Sequence, residues 1–311
     1  MGICRILILE RNKLVLRKVV RILTCTGAEV IPAEDPAELT RHIDEDPSVL
    51  CADATDIATV AAALQSHPTL LAVLWTTTKT DPLLAIAAEN DRINCIFGRE
   101  GKDAAPREWE LLWVLRRILG GESPGLGSLL AWGYTGFKEH VVSTEQRDAC
   151  VEGVVRFCER LNTPSRVQEM FGELAHELLM NAMFDAPVDA RGRPKYAGDR
   201  KAKVTLQPAE AATIRCASDG MRMVISVADP FGRLPRAAIF GGIARGLRGG
   251  EMDTSNGGAG LGMLYLYRSA AISIFEVVPG RKTQVTCVYE IDTNQREFRS
   301  LPRSVHYFGG G

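Results

Sequence analysis

Five short apolar runs in the first 120 residues, separated by stretches with helical spacing, govern how the front of this chain can fold. The runs are CRILILE, AEVIPA, SVLCAD, LLAVLWTTT and INCIFG; LVLRKVVRILTCTG, PAELTRHI, IATVAAALQS and PLLAIAAEN lie between them, and EWELLWVLRRILGG follows the last. A strand that is apolar throughout, rather than at alternate positions, needs cover on both faces, and intervening helices supply that cover. The pattern predicts a doubly wound α/β domain with a five-stranded parallel sheet over residues 1–120. Gly120-Gly121 closes the last helical pattern, and GGESPGLGS is rich in glycine, proline and serine, so 121–139 reads as a linker.

Beyond the linker the pattern changes. STEQRDACVEGVVRFCERLN reads as an amphipathic helix capped by Ser143 or Thr144, and TPSRVQEMFGELAHELLMNAMF as a second, with Thr163 as cap and Pro164 in first position. Strand-like runs follow in AKVTLQ, AATIRCAS and MRMVISVAD, then a glycine-rich segment, a helix at MLYLYRSA, and two more strands, AISIFEVV and TQVTCVYEI. Residues 140–292 therefore predict an α+β domain, one sheet with helices on one face. The polar tail over 293–311 is expected to be loosely held.

Bulk composition limits the partners. With 37 basic and 38 acidic residues the formal charge is -1, which removes the general electrostatic reason to expect nucleic acid or an anionic membrane. No apolar stretch nears the roughly 18 residues of a membrane span, and the start of the chain lacks a signal-peptide pattern. Eight cysteines without a C-x-x-C pair read as reduced core residues. The expectation is a cytoplasmic protein.

One helix carries an unusual stripe. HELLMNAMFDAP places Glu177, Asn181 and Asp185 four residues apart, on one side of a helix whose other side holds Phe171, Leu174, Leu178 and Ala182. A carboxylate and a carboxamide beside that much apolar surface need a ligand, a metal or a hydrogen-bond network, unless the face is simply solvated. Two further stretches bear on the choice. VISVADPFGRLP ends an apolar strand in Asp229, and SNGGAGLGMLYLYRSA sets a glycine-rich turn before a helix, where free backbone N–H groups can seat an anion.

In that order the three stretches resemble the N, G1 and G2 boxes of the GHKL superfamily, the Bergerat-fold ATPases and kinases, over roughly residues 140 to 292. The resemblance implies a Bergerat-fold sandwich that binds ATP with Mg2+. It gives Asn181 the task of holding Mg2+ against the phosphates, and Glu177 that of catalytic base or Mg2+ ligand. Asp229 would accept from the adenine amino group, Gly232 would shape the adenine loop, and Thr283 would support Asp229 through water. The pattern Gly258-Ala259-Gly260-Leu261-Gly262 would present amides to the phosphates. This G1 box departs from D-x-G-x-G: it reads Asp229-Pro230-Phe231-Gly232-Arg233, so either the adenine loop differs or Gly232 makes the tight turn. Residues 241–256 correspond to an ATP lid, read as a mobile loop from its five glycines, with Arg245 and Arg248 as candidates for a γ-phosphate.

The front domain is similar to a response-regulator receiver with a worn site. The first strand ends in Glu10-Arg11, where receivers carry two acids; the third leaves Asp53 as phospho-acceptor candidate; the fourth ends in Thr76, Thr77 and Thr78; and the fifth ends in Phe97-Gly98-Arg99 instead of a lysine. A pseudo-receiver used for contacts is the reading. No histidine sits before an acid in a long hairpin, and the compact layout looks like the anti-sigma-factor serine kinases. The sequence thus suggests a signalling regulator that phosphorylates a partner protein on Ser or Thr, or a non-catalytic ATP-dependent switch that binds one, with a homodimer as a further expectation.

Overall fold

A computed structural model of the chain describes residues 4–78, 81–121, 123–248, 259–291, 298 and 300–310. It divides into two compact units, residues 1–129 with 295–306, and 130–294 with 307–311.

The first unit holds strands β1 (Arg5–Leu9), β2 (Glu29–Ala33), β3 (Val49–Asp53), β4 (Leu71–Thr76) and β5 (Ile93–Gly98). They pair in the order β2-β1-β3-β4-β5, and every pairing is parallel. This order is the doubly wound arrangement shared by flavodoxin-like and receiver folds. Helices α1 (Lys13–Thr24), α2 (Pro36–His42), α3 (Ile57–Ser66), α4 (Asp81–Glu89) and α5 (Glu108–Gly120) alternate with the strands. The fully apolar runs are the reason: Ile6 to Leu9 and Val49 to Ala52 are each wholly buried, which leaves no face of the central strands for solvent. Asn12 caps α1, accepting from the Leu14 and Val15 N–H groups, and Asp35 caps α2 in the same way.

In the second unit β6 (Thr135–Val141), β7 (Ala212–Ser218), β8 (Arg222–Asp229), β9 (Ile272–Val278) and β10 (Lys282–Glu290) pair in the order β9-β10-β8-β7-β6. All of these pairings are antiparallel. Helices α6 (Thr144–Arg160) and α7 (Ser165–Met180) pack on each other, and α7 lies over β7 and β8. Then come α8 (Arg236–Leu247) and α9 (Ala259–Ser269), also packed together. Ser143 caps α6 through the Gln146 N–H. The predicted mix of one sheet and several helices is present.

Four details differ from the sequence reading. Strand β6 begins inside the stretch taken as linker. AKVTLQ makes no strand: it offers one isolated bridge, Thr205 to Ser143, before Pro208, which has no N–H to continue a ladder. Half of the supposed lid loop is helical, because Ile239, Phe240, Ile243 and Ala244 of α8 are buried, and that burial outweighs the cost of about 1 kcal/mol per interior glycine. Gly246 has a use there, since a Cβ would stand 2.8 Å from Leu264 of α9. The rest of the lid, with Gly249 and Gly250, lies outside the described residues.

The tail is the fourth difference. It forms β11 (Ser304–Gly309), whose Val305 and His306 are fully buried. In the first unit Val305 and His306 pair antiparallel with Ile96 and Cys95 of β5. The Gly98 N–H donates to Ser304 Oγ at 3.0 Å, and His306 Nε2 lies 2.8 Å from Glu110 Oε1. In the second unit the Gly310 N–H donates to the Val277 carbonyl at 2.8 Å. Apolar Val305 and Phe308 hold what the charged residues before them suggested was loose. The cysteines are free, with Cys51, Cys95, Cys158, Cys216 and Cys287 buried and Cys4 and Cys25 exposed. Among the described residues no helix is long and apolar enough to cross a membrane.

Candidate functional site

Helix α7 ends where the polar stripe begins to matter. After Met180 the backbone widens into a π turn over Asn181–Asp185, closed by the Ala186 N–H on the Asn181 carbonyl at 3.0 Å. Such turns shift the phase of a helix by about one residue and occur often at functional sites. Asn181 keeps the α-helical bond from its N–H to the Glu177 carbonyl, so the widening falls between Asn181 and Asp185. Asn181 and Asp185 line a cleft of about 170 Å³, together with Leu178 and Ala182, and the Glu177 carboxylate, beside the Asn181 side chain, also borders a groove of about 550 Å³ with Glu169, Glu173 and Tyr265.

The floor of the cleft comes from the central strands. Asp229 ends β8 and stands opposite Thr283 of β10; both are buried, at 8% and 5% exposure, and both line the cleft. Asp229 Oδ1 accepts the Phe231 N–H at 2.9 Å. Burial pushes the Asp229 carboxyl up from 3.8 to about 6, the Phe231 amide opposing part of the rise. The turn that follows is made by Gly232, at φ +62°, where a Cβ would stand 2.0 Å from the Val278 carbonyl oxygen. The tight turn after Asp229 thus falls on Gly232, while Phe231 before it has no positive φ. Phe231 is not among the residues lining the cleft, but Arg233 is.

Two buried polar atoms in this cleft, Asn181 Nδ2 and Thr283 Oγ1, make no hydrogen bond of good geometry among the described residues, although Asn181 stands beside the Glu177 carboxylate and Thr283 beside that of Asp229. Buried donors and hydroxyls are rarely left so, and each such atom marks a place for a missing partner. Apolar walls from Leu178, Val227, Met263 and Val285 surround them. Few, convergent polar groups on an apolar lining are what small-molecule sites look like. A larger open groove of about 630 Å³ between β6 and α6 brings together Phe137, Glu139, His140 and Arg156, without a comparable pair of orphaned buried atoms.

Gly262 explains its own identity. A Cβ there would lie 1.9 Å from Glu177 Oε1, so the first turn of α9, where helix N–H groups lack intrahelical acceptors, touches the Glu177 carboxylate through a missing side chain. Burial raises the pKa of Glu177, and Arg200 opposes the rise. Asp185 is likewise raised by burial and held back by Arg200, with which it forms an ion pair. Gly260 and Leu261 belong to the same helical turn; Gly258 lies outside the described residues. Arg245 of α8 lines the cleft. Arg200 went unnoticed in the sequence, because it sits in a loop fifteen residues beyond Asp185 with no periodic signal.

In the first unit, Asp53 is buried at the end of β3, and Arg99 Nη2 donates to its Oδ2 at 2.7 Å. Thr76 is buried at the end of β4, its hydroxyl 3.0 Å from that of Thr78. Arg11 pairs with Asp56.

No protein-family model and no curated protein sequence matches the chain. Among solved structures it is similar to a signal receiver domain of an HD domain-containing protein from Pseudomonas fluorescens, at 17% identity and a TM-score of 0.35, over 39% of this chain and 97% of that one. A pilus assembly-related protein from Burkholderia pseudomallei matches at 18% identity and a TM-score of 0.32, over 38% and 91%. A SiaB-SiaC complex from Pseudomonas aeruginosa matches at 15% identity and a TM-score of 0.31, over 50% and 88%.

Proposed function

We propose that the second unit binds ATP with Mg2+ in the cleft between α7, β8, β10 and α9, as GHKL proteins do, and that the chain is a signalling regulator acting on a partner protein. The observation that carries this reading is the convergence of Asn181, Asp229 and Thr283 on one cleft with apolar walls. They suit the ligand: Asp229 offers an acceptor and Thr283 a hydroxyl to the edge of a base, and Asn181 and Glu177 would hold the metal and phosphate end. Mg2+ keeps most of its ligands as water and phosphate oxygens and needs only one or two from the protein, and bound there it would neutralise phosphate charge. Glu177 faces a groove of about 550 Å³, which leaves room for a partner's hydroxyl, so transfer of a phosphoryl group to Ser or Thr is the first form of the activity.

The second form is a switch without chemistry. Ala238, Gly242 and Arg245 of α8 line the cleft, so a ligand that contacts them favours one placement of that helix over another. Incubation with γ-labelled ATP and partners captured from the native host, wild type against Glu177→Ala, separates the two. Transfer that Glu177→Ala abolishes supports the kinase. Protection against unfolding by ATP without hydrolysis or transfer leaves the switch, and absence of protection removes the nucleotide altogether.

A further inference from the structure

We infer that the acid pocket of the first unit is closed by the chain's own cation: the Arg99 guanidinium takes the position a divalent metal ion would need, so this unit takes up neither Mg2+ nor a phosphoryl group. The inference is independent of the nucleotide cleft.

Glu10 and Asp53 stand at or just beyond the carboxyl ends of β1 and β3, neighbouring parallel strands, and they are only 3% and 7% exposed. Two buried carboxylates side by side require a compensating positive charge. It arrives from β5, beyond β4 in the sheet. Arg99 Nη1 donates to Glu10 Oε2 at 2.9 Å and Nη2 to Asp53 Oδ2 at 2.7 Å, while Nη1 also reaches the Ala104 carbonyl at 3.3 Å. One planar guanidinium thus bridges both acids and pins the loop after β5.

The other carboxylate oxygens also have donors. Glu10 Oε1 accepts the Asn12 N–H at 2.9 Å, and Oε2 accepts the Trp75 indole N–H at 3.0 Å. Asp53 Oδ1 accepts the Thr55 N–H at 2.9 Å and its hydroxyl at 2.7 Å. All four carboxylate oxygens therefore have donors. Mg2+ demands near-octahedral oxygen ligands at about 2.0–2.1 Å, and to obtain any of these it must displace a buried cation or sit beside it. Arg11, where a second acid would extend the site, adds positive charge and is itself paired with Asp56 at 3.1 Å. Among the described residues no group of three or more His, Cys, Asp or Glu side chains is arranged to hold a metal.

The test uses the full chain without nucleotide and Mn2+ as the probe, followed by electron paramagnetic resonance, in wild type, Asp53→Asn, Arg99→Ala and the double variant. Wild type and Asp53→Asn are expected to bind Mn2+ equally poorly, and acetyl phosphate is expected to label neither. Arg99→Ala frees both carboxylates and is expected to gain Mn2+ binding that Asp53→Asn then abolishes. Mn2+ binding or acetyl-phosphate labelling in the wild type that disappears with Asp53→Asn would overturn the inference. So would a folded Arg99→Ala chain, by circular dichroism, with no Asp53-dependent Mn2+ binding. Should Arg99→Ala not fold, the comparison of wild type with Asp53→Asn decides alone.

Discussion

Asp229 should set stability and ligand binding against each other as pH changes. Its carboxyl is displaced by burial from 3.8 to about 6, which corresponds to a cost on the order of 3 kcal/mol for carrying the charged form in the folded chain. For a group raised in this way the stabilising contribution is complete below the unfolded value near 3.8 and is lost as pH rises through about 6. The free protein should therefore become less stable between pH 4 and pH 7. Base recognition runs the other way, because only the carboxylate accepts from an amino group with both oxygens. With a midpoint of about 6, roughly a tenth of the chains carry the charge at pH 5 and nine-tenths at pH 7, so affinity should rise about tenfold over that interval. Isothermal titration with adenosine, which has no phosphate to titrate, measures this directly. Asp229→Asn keeps an oxygen for the Phe231 N–H but never ionises. It should raise the melting temperature at pH 8 while binding adenosine weakly and without pH dependence. Adenosine affinity that is flat from pH 5 to pH 8 in the wild type, or unchanged by the substitution, would refute the reasoning.

Other substitutions probe separate parts of the chain. Asn181→Ala should remove the Mg2+-dependent share of ATP affinity, seen as the difference between titrations with Mg2+ and with EDTA, while adenosine binding persists; equal loss of both would show a collapsed cleft instead. Gly262→Ala brings a methyl against Glu177 Oε1, the end of a flexible side chain that must turn aside, and should cost no more than about 1 kcal/mol in urea denaturation, recovered when Glu177→Ala is added. His306→Ala removes the ring that lies 2.8 Å from Glu110 Oε1 and leaves that buried carboxylate to Arg107 at 3.4 Å; an unfolding loss of about 1–3 kcal/mol is expected, and no measurable loss would mean that the tail is not held by this pair.

The first unit was legible because its information is local. Each apolar run is long enough to fix a strand, and helices between parallel strands leave little choice of order. The second unit was legible where a motif compresses geometry into a few residues. Asp229, Thr283 and Asn181 do line one cleft, and Gly232 does make the turn that Phe231 cannot. What escaped was decided by packing between distant segments. α8 is helical despite its glycines because Ile239, Phe240 and Ile243 find a core, and β11 is a strand because β5 offers an edge. The π turn after Met180 is a further case: nothing in the spacing of Glu177, Asn181 and Asp185 announces the widened turn between the last two.

Charge is where the sequence was least informative, and the two units show why. Arg99 was read as the absence of a lysine. In place it is the partner of two acids, 89 and 46 residues away in the chain, and nothing in a window around any of the three announces the pairing. Arg200 behaves alike toward Asp185 and Glu177. The consequences of the two arginines differ with burial. Arg99, 4% exposed beside Glu10 at 4% and Asp53 at 11%, cannot leave without stranding them, so it fixes one state. Arg200 and Asp185 are each a little over a quarter exposed, a setting in which ion pairs contribute about 1 kcal/mol or less, so that guanidinium is held less firmly. The same residue type is thus fixed in one unit and loosely held in the other, and solvent access rather than sequence position separates the two outcomes.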